Sequence, residues 1–89
     1  MTIRPQMVRV FGTGANTLTQ SVRQHLGMLN IPFEFIDIDA NEDARAWVRD
    51  VNNGVERVPT LDIDGIIVTQ PDDENLVAAL MQRQLVKAD

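Results

Sequence analysis

The Asp64-Gly65 dipeptide constrains this chain more than any other feature. Asp-Gly supplies the two left-handed positions that a two-residue hairpin turn needs. On one side lies Val58 to Ile63, where Leu61 and Ile63 alternate against Thr60 and Asp62. On the other lies Ile66-Ile67-Val68-Thr69. The spacing predicts two antiparallel strands in immediate succession, the third and fourth of the chain. The first half reads differently. Met7-Val8-Arg9-Val10-Phe11 alternates and stops at Gly12, which predicts strand one. After the loop Gly12-Thr13-Gly14-Ala15, a helix is expected from about Asn16 to Leu29. Leu18, Val22, Leu26 and Leu29 share its apolar face, and Asn16 is a strong N-cap type. Asn30-Ile31-Pro32 ends it. Phe33 to Ile38 is the second strand, apolar enough to sit centrally in a sheet.

Asn41 can cap a second helix, with Glu42 and Asp43 suiting its N-terminal dipole. Ala44, Trp47, Val48 and Val51 form its apolar stripe, and Asn52-Asn53-Gly54 ends it. Pro71 fits the first position of a third helix. Asp72-Asp73-Glu74 loads the start of that helix with negative charge, and Leu76, Val77, Leu80, Met81 and Leu85 supply its apolar side. The order is therefore β-α-β-α-β-β-α. It implies an α/β domain with a mixed four-stranded sheet flanked by three helices. The first crossover should be right-handed and the later strands a hairpin.

The 89 residues suit one domain, spanning 1–89. A net charge of −5 and a single lysine, Lys87, disfavour nucleic acid and anionic membranes as partners. No apolar run reaches bilayer-spanning length, and Met1 to Met7 lacks the apolar region of a leader. A cytoplasmic location is the default expectation. The chain has no cysteine. That excludes disulfides, iron–sulfur ligation and thiolate zinc sites within it.

Several stretches carry a family resemblance: Val8-Arg9-Val10-Phe11, Ile31 to Asp39, Val51-Asn52-Asn53-Gly54, Val58-Pro59-Thr60 and Asp64-Gly65. Arg23-Gln24-His25-Leu26 falls between them, where a basic residue and a core leucine are common. Together these residues resemble the glutaredoxins, and the short mycoredoxin-type members in particular. The resemblance implies a thioredoxin fold and a cis peptide bond before Pro59. It also implies that the Val58 backbone can pair with an extended peptide, as in strand addition. Members of the family carry Cys-x-x-Cys at the start of helix one, which falls here on Asn16-Thr17-Leu18-Thr19. Asn16 and Thr19 stand where the two cysteines would be. The glutathione contacts of the family are also degraded: Thr13-Gly14-Ala15, Arg57 and Gln70-Pro71-Asp72 replace the residues that many members use.

Other patterns read more simply. Gly12-Thr13-Gly14 fails as a dinucleotide fingerprint, because Thr17 holds the third glycine position. Asp37-x-Asp39-x-Asn41 opens like a calcium loop, yet Glu42 and Val48 occupy its glycine and closing-glutamate positions. His25 is the only histidine, and it offers neither a triad nor a metal pair. Trp47 reads as core and Asp72-Asp73-Glu74 as dipole compensation.

No catalytic residue, cofactor or metal is expected. The leading reading is a non-catalytic glutaredoxin-like domain that binds a protein or peptide. Its groove would comprise Gly14, Ala15, Asn16, Thr17, Arg57, Val58 and Pro59. A second reading is a thiol–disulfide role in redox homeostasis that borrows a cysteine from a partner. A third is a glutathione- or anion-binding module on the helix-one amides, with Arg23 and Arg57 as the nearest basic residues.

Overall fold

A computed structural model describes residues 8–86. Met7, the leader reading over Met1 to Met7, and Lys87 lie outside the described residues. The elements are β1 (Val8–Gly12), α1 (Thr17–Met28), β2 (Glu34–Asp37), α2 (Glu42–Val51), β3 (Thr60–Ile63), β4 (Ile66–Thr69) and α3 (Asp73–Gln82). The sheet runs in the order β2-β1-β3-β4. β1 and β2 are parallel, while β1–β3 and β3–β4 are antiparallel. The hairpin turn forms at Asp64 and Gly65, with φ of 50° and 95°. Both values lie in the left-handed region that this turn demands. The Gly65 N–H also donates to Asp62 Oδ1 at 2.9 Å, which fixes the turn against its own strand.

Strand alternation sorts the side chains onto two faces. Val8, Val10, Leu61 and Ile63 join Val22 and Leu26 of α1 and Leu76, Ala79 and Leu80 of α3 in the larger core. Phe11, Ile38, Ala44 and Val48 form a smaller core under α2, with Trp47 and Val58 packed against it. The Phe11 and Trp47 rings lie 4.4 Å apart, which secures α2 to β1.

Several expectations need correction. β2 is an edge strand, not a central one. Its apolar character arises because both faces are partly covered: Phe35 packs on the larger core and Ile36 on the smaller. Ladder pairing covers only Glu34–Asp37, although the Ile38 N–H still donates to the Gly12 carbonyl at 3.0 Å. β3 begins at Thr60 rather than Val58, since Pro59 has no N–H to give to a ladder. Leu18 is exposed, and Thr19 takes the buried place on that side of α1. Val51 and Met81 are also exposed, so the buried stripes of α2 and α3 are narrower than expected. Pro71 precedes the cap of α3, and Asp72 is the cap itself, accepting from the Asn75 N–H at 2.8 Å. Thr60, on the strand face opposite Leu61 and Ile63, is itself fully buried.

Candidate functional site

The site is built around Gly12, at the end of β1. The β1–β3 ladder ends at the Phe11–Thr60 pair, so Gly12 and Pro59 each follow directly on its last rung. Thr19 of α1 fills the space that a Gly12 side chain would need. A Cβ there would stand 2.6 Å from Thr19 Oγ1 and 2.7 Å from Thr19 Cγ2. Glycine is thus required at this point by close approach, and the first turn of α1 is packed on the end of β1, whose Phe11 pairs with Thr60.

At the α1 end, Asn16 Oδ1 accepts twice from Thr19. The backbone N–H of Thr19 donates at 2.8 Å and its hydroxyl at 2.9 Å. Asn16 has the extended backbone of an N-cap, φ −74° and ψ 124°. Such a cap contributes about 1 kcal/mol. Asn16 and Thr19, the two residues compared above with the family's Cys-x-x-Cys, are therefore joined to each other by hydrogen bonds. The preceding loop is closed in a similar way. The Asn16 N–H donates to the Thr13 carbonyl at 3.2 Å, and Gln20 Nε2 donates to the Gly14 carbonyl at 2.7 Å. Gly14, Ala15 and Thr17 are exposed and Asn16 is half-buried.

At the β3 end, the Val58–Pro59 peptide bond is cis. Pro59 is buried, Val58 half-buried and Arg57 exposed. A polar network beneath them holds the turn. Thr60 Oγ1 donates to the Arg57 carbonyl at 2.7 Å and accepts from Asn52 Nδ2 at 3.1 Å. Asn52 Nδ2 also donates to the Val48 carbonyl at 2.7 Å, while Asn52 Oδ1 accepts from the Thr69 hydroxyl at 2.7 Å. One asparagine at the end of α2 thus ties together α2, β3, β4 and the turn. From outside, Arg45 and Arg49 of α2 both pair with Glu56, and Arg45 also reaches Asp39. The Arg45 Nε lies 3.0 Å from Glu56 but is not aligned for a hydrogen bond, so this contact is purely an ion pair.

Gln70 completes the site from beyond β4. Its N–H donates to the Pro59 carbonyl at 2.7 Å, and its side-chain Nε2 donates to the Val58 carbonyl at 3.2 Å. The Val58 N–H has no partner among the described residues.

Of the two basic residues considered for anion binding, Arg23 is engaged elsewhere. Arg23 stacks over the Phe35 ring, 4.1 Å from its centroid. It sits two turns along the helix from Asn16, about 10 Å at the α-helical rise. Arg57 makes no ion pair among the described residues. His25 Nδ1 lies 3.0 Å from Asp73 Oδ1 and so links α1 to α3 at the surface. Asp37 Oδ1 accepts from the Asp39 N–H, and Asn41 caps α2.

Asn52, Thr60 and Gln70 enter the sequence reading within stretches compared with the family, and Thr69 only as a strand residue; none is assigned to the site. Locally, Asn52 reads as part of a helix terminator and Thr60 as a strand position on the face opposite Leu61 and Ile63. The available signal was weak: polar residues inside or beside strands that end up buried must find partners.

A four-stranded β2-β1-β3-β4 sheet with this helix order defines a thioredoxin-like protein. A mutant of a thioredoxin-like protein matches with a TM-score of 0.76 and 22% identity, over 86% of this chain and 97% of that one. A glutaredoxin from Archaeoglobus fulgidus matches at 0.70 and 20%, over 84% and 86% of the two chains. Wheat glutaredoxin matches at 0.67 and 23%, over 85% and 80%. At these identities the likeness is one of fold. No curated protein sequence matches the chain. The glutaredoxin family model matches residues 19–68, and the chain belongs to that family. The matched stretch begins at Thr19 and ends at Val68, so it includes the Val58–Pro59 turn, Asn52 and Thr60 but neither Asn16 nor Thr69. Among the described residues, no helix is long and apolar enough to cross a membrane.

Proposed function

We propose that this glutaredoxin-like domain binds an extended peptide segment at Val58 and performs no thiol chemistry of its own. The unpartnered Val58 N–H carries this reading. Val58 is half-buried, and its N–H is free of intramolecular partners among the described residues, so it is open to an incoming strand. The network from Asn52 through Thr60 to the Arg57 carbonyl holds that donor in place. The catalytic half of the family's chemistry has no counterpart in this chain. With no cysteine there is no thiolate to attack a disulfide. Asn16, at the nucleophile's position, is engaged as a cap.

The test is an amide chemical-shift titration with blocked, extended peptides, run beside a glutathione-coupled disulfide-reduction assay. Shifts should centre on Val58, and turnover should stay at background. Turnover by the purified chain, or a silent Val58 at millimolar peptide, would overturn the proposal. Shifts confined to Ala15 through Leu18 on adding glutathione would favour an anion site at the α1 amides instead.

A further inference from the structure

A strand added at Val58 needs two groups from it, because a hydrogen-bonded antiparallel pair exchanges both an N–H and a C=O. In the free protein only one of these is open. The N–H has no partner among the described residues, whereas the carbonyl accepts from Gln70 Nε2 at 3.2 Å. The Gln70 amide donates just as the incoming peptide's backbone N–H would.

Two further observations set Gln70 apart from an incidental surface side chain. Its backbone has a φ of 48°, a left-handed conformation that non-glycine residues seldom adopt. Its own N–H is anchored on the Pro59 carbonyl at 2.7 Å, one residue from the atom that its side chain covers. The backbone anchor therefore delivers the side chain to Val58, and the anchor does not depend on which side chain is present. Gln70 is exposed, so releasing its amide to water requires no repacking of the core.

We propose that Gln70 is a built-in competitor for the peptide site: its side-chain amide occupies the Val58 carbonyl and must swing out before a strand can pair there. This rests on the peptide-binding reading above and adds a restraint to it. The swing-out sets a threshold that weak, unspecific extended chains meet poorly. A partner able to pair with both Val58 groups replaces the lost hydrogen bond and passes it.

The test uses the full chain and one probe, the blocked pentapeptide acetyl-Thr-Val-Thr-Val-Thr-amide, with the Val58 amide shift as readout. Gln70→Glu keeps the side chain's size but removes its donor. Gln70→Asn tolerates the left-handed backbone and falls short of the carbonyl. Both variants should bind the peptide more tightly than the natural chain, by roughly two- to tenfold, the worth of one exposed neutral hydrogen bond. Equal or weaker binding by both variants, with the natural chain still binding, overturns the competitor role and leaves the peptide site standing. A Val58 amide that stays silent in all three proteins at millimolar peptide overturns both. The unliganded spectra provide an independent check: both substitutions should shift Val58 and Pro59 signals while leaving Thr19 unmoved.

Discussion

At the α1 end of the site, Asn16 Oδ1 takes both the N–H and the hydroxyl of Thr19, and Gln20 takes the Gly14 carbonyl. At the β3 end, the Val58 N–H is left without a partner among the described residues. The two ends also differ in how they are held. The α1 end is closed by residues three to six positions apart, through capping that needs nothing from the rest of the fold. The β3 end is positioned by Asn52, Thr60 and Thr69, which come from three different elements. The two ends are therefore held by separate sets of contacts.

The largest expected effect comes from Gly12, where β1 meets the first turn of α1. Gly12→Ala drives a methyl group against Thr19 and should destabilise the protein by about 2–3 kcal/mol in urea unfolding, the range for overpacking. Thr19→Ala in the same chain removes the two nearest clashing atoms and should recover part of that loss. A near-neutral Gly12→Ala would break the claim that α1 is packed closely on this glycine. Next comes Asn52→Ala, which strips partners from Thr60, Thr69 and the Val48 carbonyl. A loss of about 2 kcal/mol is expected, with amide shifts concentrated on Arg57 to Thr60 and none at the α1 cap. Shifts spread equally over both ends would show that they are not held independently.

Asn16→Ala should cost about 1 kcal/mol, and Asn16→Asp should restore it, because aspartate caps equally well. Val58 amide exchange should not change in either variant, which keeps the two ends distinct. The smallest effect is expected away from the site. Arg9 pairs with Asp62 at 2.6 Å across β1 and β3, but the Arg9 side chain is 44% exposed. Arg9→Ala should therefore change stability by less than about 1 kcal/mol, in line with surface ion pairs. A larger loss would mean that the uncovered part of the sheet contributes more than the site network does.

Much of this architecture is legible in the residues. Asp64-Gly65 gives the hairpin, Asn16 and Asn41 give two caps, and the alternation of Val8 and Val10 gives the core face of β1. Local rules suffice wherever neighbours in sequence decide the outcome. They fail where distant residues decide it. Phe35 and Ile36 read as a central strand because both faces of β2 are covered, yet which strand lies outermost depends on pairing partners. Thr60 obeys the alternation of β3, but the face it points to is buried under the end of α2. The candidate site enters through the family resemblance as two positions, Asn16 with Thr19 and Val58 with Pro59. The contacts around them were not legible: the Gly12 contact, the Asn52 network and the reach of Gln70 all cross between elements.

Residue-resolved amide hydrogen exchange on the full chain tests the central contrast most directly. In the free protein, the Thr19 amide should be protected by Asn16, while Val58 exchanges quickly. Adding the threonine–valine pentapeptide should slow Val58 and leave Thr17 and Leu18 unchanged. A Val58 amide already protected without peptide, or slowing confined to Thr17 and Leu18, would contradict the account.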